Sequence, residues 1–218
     1  MLANHRRAVR ARLGWIILAT AGGAMLAAKT ASAHDHAAAQ RGQMRFGNTV
    51  IAAALTDNNG ALADLVVTDE RHHVSIAVTD PFSLTLKDGS TINTCDFHLQ
   101  GALREIALPV DARASRLADR IPGKAVEGTF LGPKGNLRLD WKLVQRDGSD
   151  YLREIVTITA LDEDVPITKV SLFGADAADA TVDGSVDGSP VVSHDDWFGF
   201  EHPMSKADAW RGKVKLWI

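Results

Sequence analysis

Residues 137–145 read Leu-Arg-Leu-Asp-Trp-Lys-Leu-Val-Gln and alternate apolar with polar side chains over most of their length. Side chains of a β-strand point to opposite faces in turn, so this two-residue period predicts a strand with one face buried and Trp141 in the core. Arg-Asp-Gly-Ser follows at 146–149 and supplies turn residues. Residues 151–160 then return with Ile, Val and Thr, which predicts an antiparallel hairpin.

The same pattern of short apolar runs between turns extends to both sides of this hairpin. Runs at 49–55 and 62–67 flank Asp-Asn-Asn-Gly at 57–60, and runs at 82–86 and 91–92 flank Asp-Gly at 88–89. Residues 165–173 form one more candidate strand, and 114–120 form the one short helical candidate. No alternation of strands with long helices and no Gly-rich phosphate loop is present. The pattern predicts an all-β protein, a β-sandwich with at most one short helix.

The N-terminal segment has the features of an export signal. Four arginines at positions 6, 7, 10 and 12 precede an uncharged run at 13–28, and Ala-Ser-Ala at 31–33 fits a signal peptidase site. The sequence therefore predicts a signal peptide at 1–33, a flexible leader at 34–43 and a sandwich domain at 44–218, in the periplasm or secreted. An uncleaved membrane anchor is the alternative, although the apolar run is shorter than a typical span.

Charge and cysteine content narrow the possible partners. The whole chain carries a net charge of −3, and the first 33 residues hold five of its basic residues and no acidic ones, so the remainder is at −8. A balance this acidic argues against nucleic acid, whose phosphates attract basic surfaces. Cys95 is the single cysteine and cannot form an internal disulfide; we expect a buried, inert thiol in a strand.

The order of motifs in the second half resembles a known family. It runs Leu-Arg-Leu-Asp-Trp (137–141), Arg-Asp-Gly-Ser-Asp-Tyr-Leu-Arg-Glu (146–154), Gly-Ser-Pro-Val-Val (188–192) and Phe-Gly-Phe-Glu-His-Pro-Met (198–204). This order resembles the N-terminal β-supersandwich, or galactose-mutarotase-like, region of large secreted glycoside hydrolases. Those related to endo-α-N-acetylgalactosaminidase and α-galactosidase are the most similar, and some are labelled "enterotoxin".

The resemblance implies a carbohydrate context without catalysis by this chain. Such enzymes carry their catalytic carboxylates on a downstream (β/α)8 barrel, which needs about 250 residues. Few residues follow Met204 here. We therefore expect either a sandwich truncated before its barrel or a stand-alone relative of the accessory domain.

The segment at 194–203 is the densest candidate for a binding site. Trp197 and Phe198 could offer a flat apolar face to a sugar ring, and Asp196, Glu201 and His202 could bond its hydroxyls. The structural alternative is a buried aromatic loop in which Glu201 or His202 bonds the backbone at the Pro203 turn. A catalytic role for these carboxylates is the third reading.

Metal binding is a separate hypothesis. Cleavage after Ala33 would leave His34-Asp35-His36 at the new N-terminus, and an amine with histidine at the third position suits Cu²⁺ or Ni²⁺. A copper enzyme would need a further structured histidine, which the spacing does not select. Ca²⁺ is the other candidate ion, although no Asp-x-Asp-x-Asp-Gly loop is present and the acidic residues 162–164 are expected in a solvated turn.

These observations predict an exported carbohydrate-binding or accessory β-sandwich of a glycoside hydrolase, without its own catalytic centre. Carbohydrate and a downstream catalytic barrel are the expected partners; nucleic acid and, after signal cleavage, membrane are not. The alternatives are a stand-alone hydrolase or epimerase, a copper-binding protein, and a structural exported domain with no ligand.

Overall fold

The structure, a computed structural model, describes residues 15–19, 41–58 and 60–218. It confirms the predicted all-β sandwich. The strands are β1 (Trp15–Ala19), β2 (Arg41–Gly47), β3 (Ile51–Asn58), β4 (Ala61–Asp69), β5 (Val74–Asp80), β6 (Ser83–Leu86), β7 (Thr91–Asn93), β8 (His98–Leu99), β9 (Arg104–Leu108), β10 (Gly123–Leu131), β11 (Leu137–Arg146), β12 (Arg153–Ala160), β13 (Ile167–Asp176), β14 (Thr181–Val182), β15 (Val191–Ser193), β16 (Asp196–Phe200), β17 (Lys206–Trp210) and β18 (Lys213–Trp217).

The strands form two antiparallel sheets. Sheet I has the order β14-β15-β16-β1-β12-β11-β10-β8, and β9 pairs with β10 on the same edge as β8. Sheet II has the order β17-β18-β13-β5-β4-β3-β2, and β6 pairs with both β13 and β7. The hairpin predicted at 137–160 is the β11–β12 pair, in register from Leu137 opposite Ala160 to Val144 opposite Arg153.

The core lies between the sheets. Leu137, Leu139, Trp141 and Leu143 of β11 are at most 1% exposed, as their alternation predicts. Phe82, which immediately precedes β6 of sheet II, meets Phe130 of sheet I edge-on, with 5.7 Å between ring centroids. The indole N–H of Trp141 donates to the carboxylate of Glu154, which is itself fully buried. A buried carboxylate needs such a donor, because desolvation without one is costly.

Helical structure in the described ranges is limited to two 3₁₀ turns, Thr94–Asp96 and Leu117–Arg120. The second falls inside the helical candidate at 114–120. No helix of the described part of the chain has the length and apolar content needed to cross a membrane. The first turn contains Cys95, whose side chain is exposed. The prediction of a buried cysteine in a strand was wrong, because the chain bends here and Thr94 turns inward in its place.

The N-terminal part of the chain contributes to both sheets. β2 begins at Arg41, three residues before the boundary expected at Met44, and pairs with β3 along its whole length. β1 lies inside the segment predicted as a signal peptide, between β12 and β16. Cleavage after Ala33 would therefore remove a strand from the middle of sheet I. Residues 20–40 lie outside the described part.

Candidate functional site: a charged groove on sheet I

A groove of about 930 Å³ runs over the outer face of β10, β11 and β12. The register of these strands sets its floor, because directly opposed residues share a face. Glu127 pairs with Lys142, which pairs with Ile155, and Thr129 pairs with Asp140, which pairs with Thr157. The polar positions of the alternating strand β11 thus become part of a continuous face. Residues from the loop that contains Arg116 and Asp119 close one side.

The floor of this groove is held by paired charges. Arg138 donates to Oδ1 of Asp140 from Nε and Nη2, at 3.0 and 2.9 Å, and Thr129 donates to the same oxygen at 2.7 Å. Glu127 lies 3.0 Å from Nζ of Lys142 and 3.4 Å from Nη2 of Arg104. The single carboxylate of Glu127 therefore forms ion pairs with two cations, Lys142 and Arg104.

A second shared carboxylate, that of Glu201, contacts two arginines that line the groove, Arg116 and Arg153. Arg153 donates from Nη2 to Glu201, and Nη2 of Arg116 lies 3.5 Å from the other oxygen of that carboxylate. We call Arg116, Arg153 and Glu201 the Glu201 cluster. Burial raises the pKa of Glu201, Arg116 opposes that rise and Asp119 adds to it, so the pKa lies above its usual range. The Glu201 carboxyl is thus easier to protonate than an exposed glutamate.

The wall beside this cluster is also ordered. Arg146 donates from Nη2 to Asp119 and from Nη1 to the carbonyl of Ile121, both at 2.8 Å. These bonds fasten the loop that carries Arg116 to the end of β11. Tyr151 lies nearby, and its burial raises the pKa of its hydroxyl, partly offset by Arg116. The tyrosine is therefore a neutral hydrogen-bonding group at physiological pH.

The structure divides the predicted site residues between two faces of β16. Arg153 pairs with Ile16, which pairs with Gly199, so Gly199 lies on the groove face of sheet I. Trp197 and Glu201 are two residues to either side of Gly199 and share that face. Trp197 is 37% exposed, and Glu201 reaches Arg153. Both are therefore accessible from the groove side.

Two other predicted site residues, Asp196 and Phe198, point into the sandwich. Phe198 is fully buried and its ring stacks on Phe173, with centroids 4.8 Å apart and 22° between planes. Asp196 is 4% exposed, and its Oδ1 has no hydrogen-bond partner. Neither side chain is available to a ligand. The segment is a strand and not the loop that the sequence suggested, and its alternate residues face the core.

Asp196 lies in an acidic environment. Burial is the main cause that raises the pKa of Asp196, and the negative charge of Asp69 is the second. His72 opposes the rise, and the resulting pKa is about 6. His72 Nδ1 lies 2.6 Å from Oδ2 of Asp69. Burial would raise the pKa of Asp69 as well, but hydrogen bonds from the His72 ring and from the backbone N–H groups of Arg71 and His72 leave it lowered. Asp69 therefore keeps its charge, and Asp196 is the carboxyl that protonates first.

The histidine hypotheses have mixed outcomes. The backbone N–H of Met204 donates to Nδ1 of His202 at 3.1 Å, so His202 stabilises the turn at Pro203, as the structural alternative proposed. His34 and His36 lie outside the described residues. Within 15–19, 41–58 and 60–218, no three His, Cys, Asp or Glu side chains are grouped closely enough to hold a metal ion. Residues 162–164 are exposed, as expected of a solvated turn.

Sequence reasoning missed most of the groove. Arg138, Asp140 and Lys142 were recognised as the polar face of a strand, but nothing in their spacing shows that β10 and β12 extend it. Arg116 belonged to no motif, and Arg146 was interpreted only as the first residue of the turn at 146–149. The one available signal was the density of charged residues on the outer face of a single hairpin. No protein-family model, curated protein or solved structure matches the chain.

Proposed function

We propose that this chain is an exported carbohydrate-binding or accessory β-sandwich of a glycoside hydrolase, and that it binds sugar on the groove face of sheet I. The observation that carries the proposal is that Trp197 and the Glu201 cluster share this face. A pyranose has an apolar face and a rim of hydroxyls, so its recognition needs an aromatic surface beside hydrogen-bonding groups. One strand, β1, separates β16 from β12, and Gly199 of β16 aligns with Arg153. Trp197 is two residues from Gly199, so strand spacing and rise place the backbones of Trp197 and Arg153 about 12 Å apart.

The groove floor supports the same proposal. Its carboxylates, guanidinium groups and hydroxyls are fixed by their mutual bonds and by the strands beneath them. Side chains that are ordered before binding lose less conformational entropy when the ligand arrives. A sugar hydroxyl can donate to Asp140 or Glu127 and accept from an arginine. The groove is open along the sheet, which suits a chain of sugars better than an enclosed small molecule.

Glycan binding by the full chain tests the proposal. We expect Trp197→Ala to weaken binding about tenfold, the effect of losing one aromatic contact. Trp210→Ala is the matched control, because Trp210 is 65% exposed on β17 of sheet II, away from the groove. Equal losses for both variants, or no glycan bound by the folded parent, would contradict the proposal.

A stand-alone hydrolase or epimerase is the second candidate. The raised pKa of Glu201 favours it, since a general acid works best when its pKa is near the working pH. Release of phenol from aryl glycosides by the folded chain, abolished by Glu201→Gln, would replace the binding proposal with this one. The export proposal has its own test, N-terminal sequencing of the secreted product. A start at His34 would mean that the mature protein lacks β1, and the binding assays would then be repeated with residues 34–218.

A further inference from the structure

The charges of the groove do not balance. Arg138 and Asp140 form one pair, and Arg146 and Asp119 form another. In the remaining two clusters, however, two cations share one carboxylate. Arg104 and Lys142 share Glu127, and Arg116 and Arg153 share Glu201. Each of these clusters carries an excess positive charge, although the chain as a whole is negative.

Arg153 has an unused donor. Its side chain is 13% exposed, and Nε is buried without a hydrogen-bond partner. A buried donor left unpaired costs free energy, and the cost is larger on a charged group. An anion that binds at the exposed part of the Arg153 guanidinium would neutralise the excess charge of the Glu201 cluster.

Arg116 is the accessible member of this cluster. It is 39% exposed and precedes the 3₁₀ turn at Leu117–Arg120, so its guanidinium reaches the groove from the side. A guanidinium presents N–H groups as a planar fork that matches the oxygens of a carboxylate or sulfate. Its contact with Glu201 is an ion pair at 3.5 Å, which leaves N–H donors of Arg116 for a ligand.

The two excess charges are spaced along the sheet. Glu127 lies on β10 and Arg153 on β12, with β11 between them. Glu127 aligns through Lys142 with Ile155, so Arg153 is offset from Glu127 by two residues along the strands. Strand spacing and rise place their backbones about 12 Å apart. A single anionic group cannot reach both clusters, whereas an oligosaccharide with repeated acidic groups can.

We propose that the groove binds an acidic oligosaccharide, with one carboxylate or sulfate group on Arg116 and Arg153 and another near Arg104 and Lys142. This inference rests on the proposed carbohydrate function and names its ligand class. Uronic acids and sulfated sugars share the required chemistry, a fixed negative charge on a sugar ring. The sugar rings themselves extend toward Trp197.

Titration calorimetry of the full chain with matched ligands tests this proposal. The probes are a short oligogalacturonate, its methyl ester, which is the same oligomer without charge, and a sulfated galactan oligomer of similar length. We expect at least one acidic oligomer to bind about tenfold more tightly than the methyl ester in dilute buffer, as a charge-assisted hydrogen bond allows. The difference should shrink at about 0.5 M salt, where screening is strong.

Two arginine variants assign the site. Arg116→Ser should lower affinity for the acidic oligomer about tenfold and leave the methyl ester unchanged. Arg113→Ser is the matched control, since Arg113 is exposed in the same loop but does not line the groove. Both positions are exposed enough for the variants to fold, and circular dichroism checks this. An unchanged Arg116→Ser affinity would overturn the assignment.

The possible failures are distinguishable. Equal affinity for the acidic oligomer and its methyl ester would overturn the acidic preference and leave the carbohydrate function standing. Binding of none of these oligomers by the folded chain would overturn the acidic preference, and the absence of any bound glycan in the test of the proposed function would overturn the carbohydrate function as well. Polyglutamate of similar length tests the sugar requirement: affinity equal to that for the acidic oligomers would overturn the carbohydrate assignment, and weaker affinity would support it.

Discussion

Replacing Asp196 by asparagine should stabilise the protein at pH 8 and should give a clearly smaller gain, or a loss, at pH 4.5. The folded state raises the pKa of Asp196 from 3.8 to about 6. A carboxyl with a raised pKa holds its proton more tightly in the folded state than in the unfolded chain. Stability therefore falls as pH rises from about 4 to about 6, and the full penalty applies above pH 6.

The size of this penalty follows from the shift. Each pKa unit corresponds to about 1.4 kcal/mol, so a shift of about two units gives about 3 kcal/mol. Asparagine has a similar shape and no charge, which removes the penalty, but its amide donors need partners in a site where Oδ1 already has none. We therefore expect a net gain of about 1 to 3 kcal/mol at pH 8.

Urea unfolding at pH 4.5 and pH 8 measures this effect. For an m value of about 2 kcal/mol/M, a gain of 2 kcal/mol moves the midpoint by about 1 M. Asp195→Asn is the matched control, because the adjacent Asp195 is exposed; its effect on stability at pH 8 should be smaller than that of Asp196→Asn. A gain for Asp196→Asn that is equal at the two pH values, or a loss at pH 8, would refute the reasoning.

Three further predictions concern the core, β1 and the cysteine. Trp141→Phe removes one hydrogen-bond donor to buried Glu154 and should cost about 2 kcal/mol in urea unfolding, whereas Trp210→Phe on the surface should cost almost nothing; equal costs would show that the buried bond contributes little. Ile17→Pro in the full-length chain should lower the free energy of unfolding by about 3 kcal/mol, because proline breaks the hydrogen-bond ladder of a central strand. An unchanged proline variant would mean that β1 adds no stability. Cys95 should react with a thiol reagent in the folded protein without denaturant, and reaction that requires denaturant would contradict its exposure.

The local pattern of apolar runs and turn residues was enough to predict much of the sheet structure. The hairpin at Asp88-Gly89 joins β6 and β7, and the turn at 146–149 joins β11 and β12, as the turn residues indicate. β16 was missed because Asp-Trp-Phe-Gly-Phe does not alternate apolar with polar residues. Its aromatic residues lie on both faces, one in the core and one outside, so hydrophobicity alone could not separate Trp197 from Phe198.

The sequence by itself determined the β-sandwich and the buried face of its central hairpin, because strand period and turn chemistry act over a few residues. It also singled out Trp197 and Glu201, though not the strand that separates them from Asp196 and Phe198. Only the tertiary structure decided that β10, β11 and β12 present one charged face, and that Glu201 joins arginines 48 and 85 positions earlier. These contacts depend on strand order and register, which are set by packing across the whole sandwich and leave no local pattern to read.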